Sequence, residues 1–121
     1  MAKPFLRVYF GDSWIGPGKV QLLEAVRAHG SISAGARAMG MSYRRAWLLI
    51  DTLNQMFHEP VVQTTLGGRG GGTAGVTPFG VEIITRYRAM EAATRRAIAS
   101  HAAALERRAK PPRTRRRPPG A

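Results

Sequence analysis

The chain has 121 residues, 44% of them hydrophobic, enough for one domain with a core and against wholesale disorder. Nineteen Lys and Arg face seven Asp and Glu, a formal net charge of +12, so the expected partner is a polyanion such as nucleic acid or anionic lipid. There is no cysteine, which excludes disulfide scaffolds, zinc fingers and thiol catalysis, and no apolar run approaches the roughly 18 residues of a spanning helix.

The opening Met-Ala-Lys-Pro carries no signal-peptide core, so a cytoplasmic location is expected. Phe5-Leu-Arg-Val-Tyr-Phe10 is aromatic and β-branched and reads as a strand. Gly11-Asp12 can turn it into a short partner, Ser13-Trp14-Ile15. Gly16-Pro17-Gly18 breaks that pattern, and Pro17 suits the first turn of a helix, where its missing N–H costs nothing. Val20, Leu22, Leu23 and Val26 fall on one face of this helix, and Gly30 stops it. Ser31-Ile-Ser33 supplies an N-cap for a short helix over 34–39, ended by Gly40. Ser42 caps a third helix reaching about Phe57, with Ala46, Ile50, Leu53 and Phe57 in one apolar stripe. Pro60 marks its end.

Residues 61–66 form a strand and Val76-Thr77 a shorter return, with the loop Gly67-Gly-Arg-Gly-Gly-Gly-Thr73 between them. From Phe79 to about Arg108 the pattern is helical, with no glycine after Gly80 and no proline. From Arg107 onward there are seven basic residues and no acidic one, with Pro111, Pro112, Pro118 and Pro119. This tail is expected to be disordered, and residues 1–106 keep a net charge of +5 without it.

Two short helices joined by a tight turn carry the functional signal. Ala36 lets them approach closely, Gly40 permits the left-handed backbone of the turn, and Ala46 packs back into the core. An ordinary αα corner can carry the same residues. The next helix, however, opens Ser42-Tyr43-Arg44-Arg45. A recognition helix reads base edges with its N-terminal residues, and arginine donates bidentately to guanine O6 and N7. Two arginines at a helix start oppose the macrodipole, a placement better suited to a polyanion partner than to stability alone, although a solvated basic face would look similar. Ser33 and Ser42 are candidates to position phosphates.

The glycine-rich loop suits a wing, with Arg69 as its charge, or is simply a loose hairpin. Residues 70–75 match G-x-G-x-x-G formally, but no helix opens directly after them, so a dinucleotide site is rejected. In the last helix Ile83, Tyr87, Met90, Thr94, Ala97, His101 and Leu105 repeat near every 3.5 residues, widened by Ile84 and Ile98. About 30 residues make roughly 45 Å of helix, too long for a small body to cover. An intermolecular seam of Ile83, Tyr87, Met90, Ala97, Ile98 and Leu105 is expected, the alternative being a frayed Ala-rich surface helix. His29, His58 and His101 are isolated and the carboxylates scattered, so neither a metal site nor an acid/base pair is indicated. Trp14 and Trp47 read as core residues rather than cofactor shelves. No enzyme, no cofactor and no membrane is expected.

The stretch Gly30-Ser-Ile-Ser-Ala-Gly-Ala-Arg-Ala-Met-Gly-Met-Ser-Tyr-Arg-Arg-Ala-Trp47 resembles the helix-turn-helix of the ModE family of molybdate-responsive transcriptional regulators. Leu66-Gly-Gly-Arg-Gly-Gly-Gly-Thr73 resembles that family's wing, and Val76-Thr-Pro-Phe-Gly80 a pattern shared with the wider LysR-type group. The resemblance covers roughly residues 17–90. It implies a winged helix-turn-helix that dimerises through its long helix and binds an inverted repeat, with Ser42, Tyr43, Arg44 and Arg45 in the major groove and Arg69 on the wing. Family members that sense molybdate carry C-terminal Mop-type modules. None follows here before Ala121, so no direct molybdate site is expected in this chain.

The sequence thus predicts a mainly α fold with a small β-hairpin wing. The domain spans 1–108, with the helix-turn-helix at about 31–57, the wing at about 61–77 and the long helix at about 79–108, followed by a basic tail, 109–121. The expected function is that of a nucleoid-associated, homodimeric, sequence-specific regulator of transcription that binds double-stranded DNA and is linked to molybdenum metabolism. The alternatives are an architectural DNA-binding protein and a winged helix that binds another protein.

Overall fold

The computed structural model describes residues 2–65 and 73–111. Gly11, at φ +68°, turns the first hairpin, pairing β1 (Val8–Phe10) antiparallel with β2 (Ser13–Ile15) in the register Val8↔Ile15. Helix α1 (Pro17–His29) opens on its proline and ends at Gly30, whose left-handed conformation brings its N–H onto the Val26 carbonyl. Ser31 caps α2 (Ile32–Ala38), its hydroxyl oxygen accepting from Ala34 N at 3.1 Å. The cap lies earlier than a helix over 34–39 requires, so Ile32 enters the core and Ser33 is in the first turn. Gly40, at φ +67°, makes the turn into α3 (Tyr43–Met56), which Ser42 caps through Arg45 N at 3.1 Å.

β3 (Val62–Thr65) and β4 (Thr73–Val76) pair antiparallel from Val62↔Val76 to Thr65↔Thr73, and α4 (Pro78–Glu106) follows at once. Residues 66–72, including Arg69, and 112–121 of the basic tail lie outside the described residues. Four helices and two small antiparallel strand pairs give a winged-helix-like arrangement.

The core forms where the apolar faces converge. α1 supplies Val20, Leu22, Leu23 and Val26, and α3 supplies Ala46, Ile50 and Leu53. Val61, Val62 and Ala74 close it from the wing side. α2 crosses α1 closely because Gly35 has no side chain: a Cβ there would lie 2.9 Å from Val26 Cγ2 and 3.0 Å from Val26 N. Ala36, the next residue, is buried as well. Phe57 bridges β1 and α4 by edge-on contacts to Phe10 and Phe79, with ring centres 5.5 and 5.3 Å apart.

The apolar stripe of α4 divides into two parts. Ile83, Ile84 and Tyr87 are buried in the chain's own core, and Tyr87 Oη donates to the Leu6 carbonyl at 2.8 Å. Burial, and then the charge of Glu91, push the Tyr87 phenol above its ordinary pKa, so it remains a donor. Ile83 and Tyr87, expected in an intermolecular seam, are covered by the chain's own core. Met90 and Ile98 are half-buried, Ala97 is exposed, and Leu105 is 73% exposed. Beyond Met90, α4 is joined by the N-terminal arm: Ala2 and Pro4 face Ile98, Ala99 and Ala102 across a groove of about 300 Å³. Arg88 fastens α4 to α1 through a two-point contact with Glu24, at 2.6 and 3.2 Å, and bonds Glu91 at 2.6 Å. These two carboxylates hold its guanidinium well above the ordinary arginine pKa.

Candidate nucleic-acid interface

Capping at Ser42 fixes where α3 starts, and its buried stripe fixes which way it turns. With Ala46, Ile50 and Leu53 inward, the helical period points Arg44 and Leu48 away from the body. Arg45 and Thr52 lie on one flank of this outer face, Tyr43 and Trp47 on the other. Tyr43 is 56% exposed, Trp47 44% and Leu48 49%. Trp47 is therefore corrected from a core residue to a surface residue. Three large apolar or aromatic side chains on one exposed helix face are unusual for a simply solvated surface.

The charges are equally uncovered. α3 has no acidic residue in its first turn, and among the described residues neither Arg44 nor Arg45 makes an ion pair. Both sit at the positive end of the helix dipole, so the turn presents an unneutralised positive field to an outside anion. A shallow groove runs along it between Ser42, Arg44, Arg45 and Leu48. Ser42 uses its hydroxyl oxygen as the cap, which leaves the O–H free to donate. Ser33 is exposed on α2.

One residue that the sequence did not single out ties the wing to α3. Asn54 Oδ1 accepts from Val61 N at 2.7 Å and Val62 N at 3.1 Å, and its Nδ2 donates to the Val62 carbonyl at 3.1 Å. The base of β3 is thus hydrogen-bonded to α3 itself. β4 is bonded to the other side of the motif, through Ala74 N and the Gly30 carbonyl at 3.0 Å. The only sequence signal for Asn54 was a polar residue beside the core position Leu53. Arg69 lies outside the described residues, so the arrangement brings together Ser42, Tyr43, Arg44 and Arg45 on one surface and leaves Arg69 unplaced.

Among the described residues, no three His, Asp or Glu side chains gather as a metal site requires, and no helix is long and apolar enough to cross a membrane.

A short two-helix motif, an exposed basic and aromatic second helix and a hairpin anchored beside it make up a winged-helix-like module. The comparisons with known proteins give the particular relatives. No family model matches the chain. It is 40% identical over 88 residues, 73% of its length, to the molybdenum-pterin-binding protein MopA of Rhodobacter capsulatus. It is 42% identical over 73 residues, 60% of its length, to the molybdenum transport protein ModE of Azotobacter vinelandii. Against the DNA-binding transcriptional dual regulator ModE of Escherichia coli (strain K12) the figures are 39% over 71 residues, 59% of its length. These matches cover 33%, 27% and 27% of the relatives, so the chain spans a third or less of the curated proteins it resembles. The relatives are named as regulators and as molybdenum-binding or transport proteins, with no enzyme name among these three.

Proposed function

We propose that this chain is a ModE-type DNA-binding regulator that acts as a homodimer on an inverted repeat, in the control of molybdenum-related genes. The observation that carries this reading is the exposed face of α3: two arginines at the N-terminal turn, without a carboxylate partner among the described residues, beside Tyr43, Trp47 and Leu48. In the major groove Arg44 reads a guanine through O6 and N7, and Leu48 and Trp47 contact the thymine methyl or exclude water around it. Arg45, Ser42 and Ser33 hold backbone phosphates and set the register. Arg69 supplies positive charge to the backbone or minor groove beside the bases that α3 reads. The outer part of α4, with Met90, Ala97, Ile98 and Leu105, meets its copy and spaces the two recognition helices. The link to molybdenum comes from the relatives' names.

The test is retention of sheared genomic DNA at about 150 mM salt, where weak electrostatic binding is suppressed, followed by sequencing. A recurring inverted repeat is expected. In the same selection Arg44→Ala should relax one base pair per half-site, by roughly 1–3 kcal/mol of discrimination. Retention with no shared motif would replace this reading with an architectural one. Failure to retain DNA while a protein partner is recovered would replace it with a protein-binding one.

A further inference from the structure

Arg7, Trp14 and Lys19 meet beside the first turn of α3. Lys19 is only 8% exposed, the one charged residue in the interior among those described. Its ammonium donates to the Trp14 carbonyl at 2.9 Å and lies 4.2 Å from the centre of the Trp14 ring. The Arg7 guanidinium lies 4.7 Å from the same ring centre. Two cations therefore share one indole, and among the described residues neither has a carboxylate partner. Burial first, and the charge of Arg7 second, pull the Lys19 pKa below its ordinary value. Both effects disfavour the charged form.

A groove of about 210 Å³ opens over these groups. Met41, Arg45 and Leu49 continue its wall, so it runs directly into the recognition helix. No acidic residue lines it. A lysine serving only to cover Trp14 would be better placed without a second cation on the same ring, because like charges in a partly desolvated site repel. The arrangement becomes favourable when an anion enters.

We propose that the groove formed by Arg7, Lys19 and Arg45 is a phosphate site, which takes a backbone phosphate of the DNA flanking the bases that α3 reads. The proposal rests on the DNA-binding reading above and extends it to a surface remote in sequence from the helix-turn-helix. Of the three N–H groups on Lys19, one is used by the Trp14 carbonyl and two remain for phosphate oxygens. Arg7 and Arg45 add planar forks that match a phosphate edge. Trp14 serves as the rigid platform on which Arg7 and Lys19 rest, and contributes no base contact. Such contacts fix register and orientation but carry no sequence preference.

The test compares Arg7→Gln and Lys19→Gln with the wild-type chain by fluorescence anisotropy, on a selected duplex and a random duplex of equal length, across a salt series. Arg7 is exposed, so its replacement leaves the core intact even if Lys19→Gln lowers the melting temperature. Arg7→Gln is expected to weaken both duplexes by the same factor, to flatten the slope of log K against log[salt] by about 0.9, and to leave site preference unchanged. Wild-type affinity and slope in Arg7→Gln, or a loss confined to the selected duplex, would overturn the proposal. If the wild-type chain binds neither duplex, the DNA reading has failed separately. The groove is then judged by titrating inorganic phosphate against the indole N–H resonance of Trp14. A saturable shift that Arg7→Gln abolishes would retain a phosphate site for a free oxyanion, and no shift would overturn it.

Discussion

At Gly80 the lack of a side chain allows α4 to start directly against the base of the wing. A Cβ there would collide with the Val61 carbonyl and would lie 2.5 Å from Val76 Cγ1. Three residues earlier, Thr77 Oγ1 accepts from Gly80 N at 3.0 Å and donates to the Pro60 carbonyl at 2.7 Å. The Thr-x-x-Gly spacing is therefore a cap and a close crossing in one unit. Gly80→Ala should cost roughly 2–3 kcal/mol as an overpacked contact against backbone, measured by urea denaturation. A change under about 0.5 kcal/mol, within the range of ordinary surface substitutions, would show that the crossing can relax. The sequence marked Gly80 only as part of a pattern, because what it touches comes from 19 residues earlier. Gly35 is a similar case: a glycine inside a seven-residue helix is unfavourable locally, and only the approach of Val26 explains it. Trp47 was misread for a different reason. It lies beside the stripe rather than on it, and hydrophobicity alone does not say which side of that boundary faces out.

Local signals did define the elements around the interface. Ser42, the stripe of Ala46, Ile50 and Leu53, and the left-handed Gly40 are all readable within a few residues, and they fix both the start and the rotation of α3. The placement of the wing is not local. It depends on Asn54, which satisfies two backbone donors and one acceptor in residues that follow a non-helical turn, where periodicity carries no information. Asn54→Ala would leave Val61 N and Val62 N without this acceptor in a partly buried setting. A loss of about 2 kcal/mol is expected by denaturation and, on the proposed function, weaker DNA binding with an unchanged base preference at the position assigned to Arg44. An unchanged stability would mean that water takes the place of the amide. A changed base preference would mean that the clamp also sets the angle of α3.

For the molecule as a whole, composition and punctuation were enough for a mainly helical fold with small hairpins, while the path of residues 2–6 was not legible. Nothing in Ala2, Pro4 or Leu6 announces that the arm lies against α4, held by the Tyr87–Leu6 bond at 2.8 Å. This arm also alters the reading of the long helix. The core covers α4 as far as Tyr87, the arm meets part of what lies beyond, and Leu105 remains exposed. If a second copy covers the rest, Ile98→Glu should raise the dimer dissociation constant at least tenfold, about 1.4 kcal/mol, without lowering the monomer's helix content. Light scattering across a concentration series with circular dichroism would check it. A wild-type chain that is monomeric at every concentration would remove the α4 seam from the proposed function.

The arm has one further result. Ala2 and Glu106 border the same groove, so the N-terminal arm reaches the last turn of α4. That helix is about 43 Å long at 1.5 Å per residue, and its other end adjoins the wing. Dyes placed on Ala2 and on Glu106 would therefore share one mooring, some four nanometres along the helix from the hairpin.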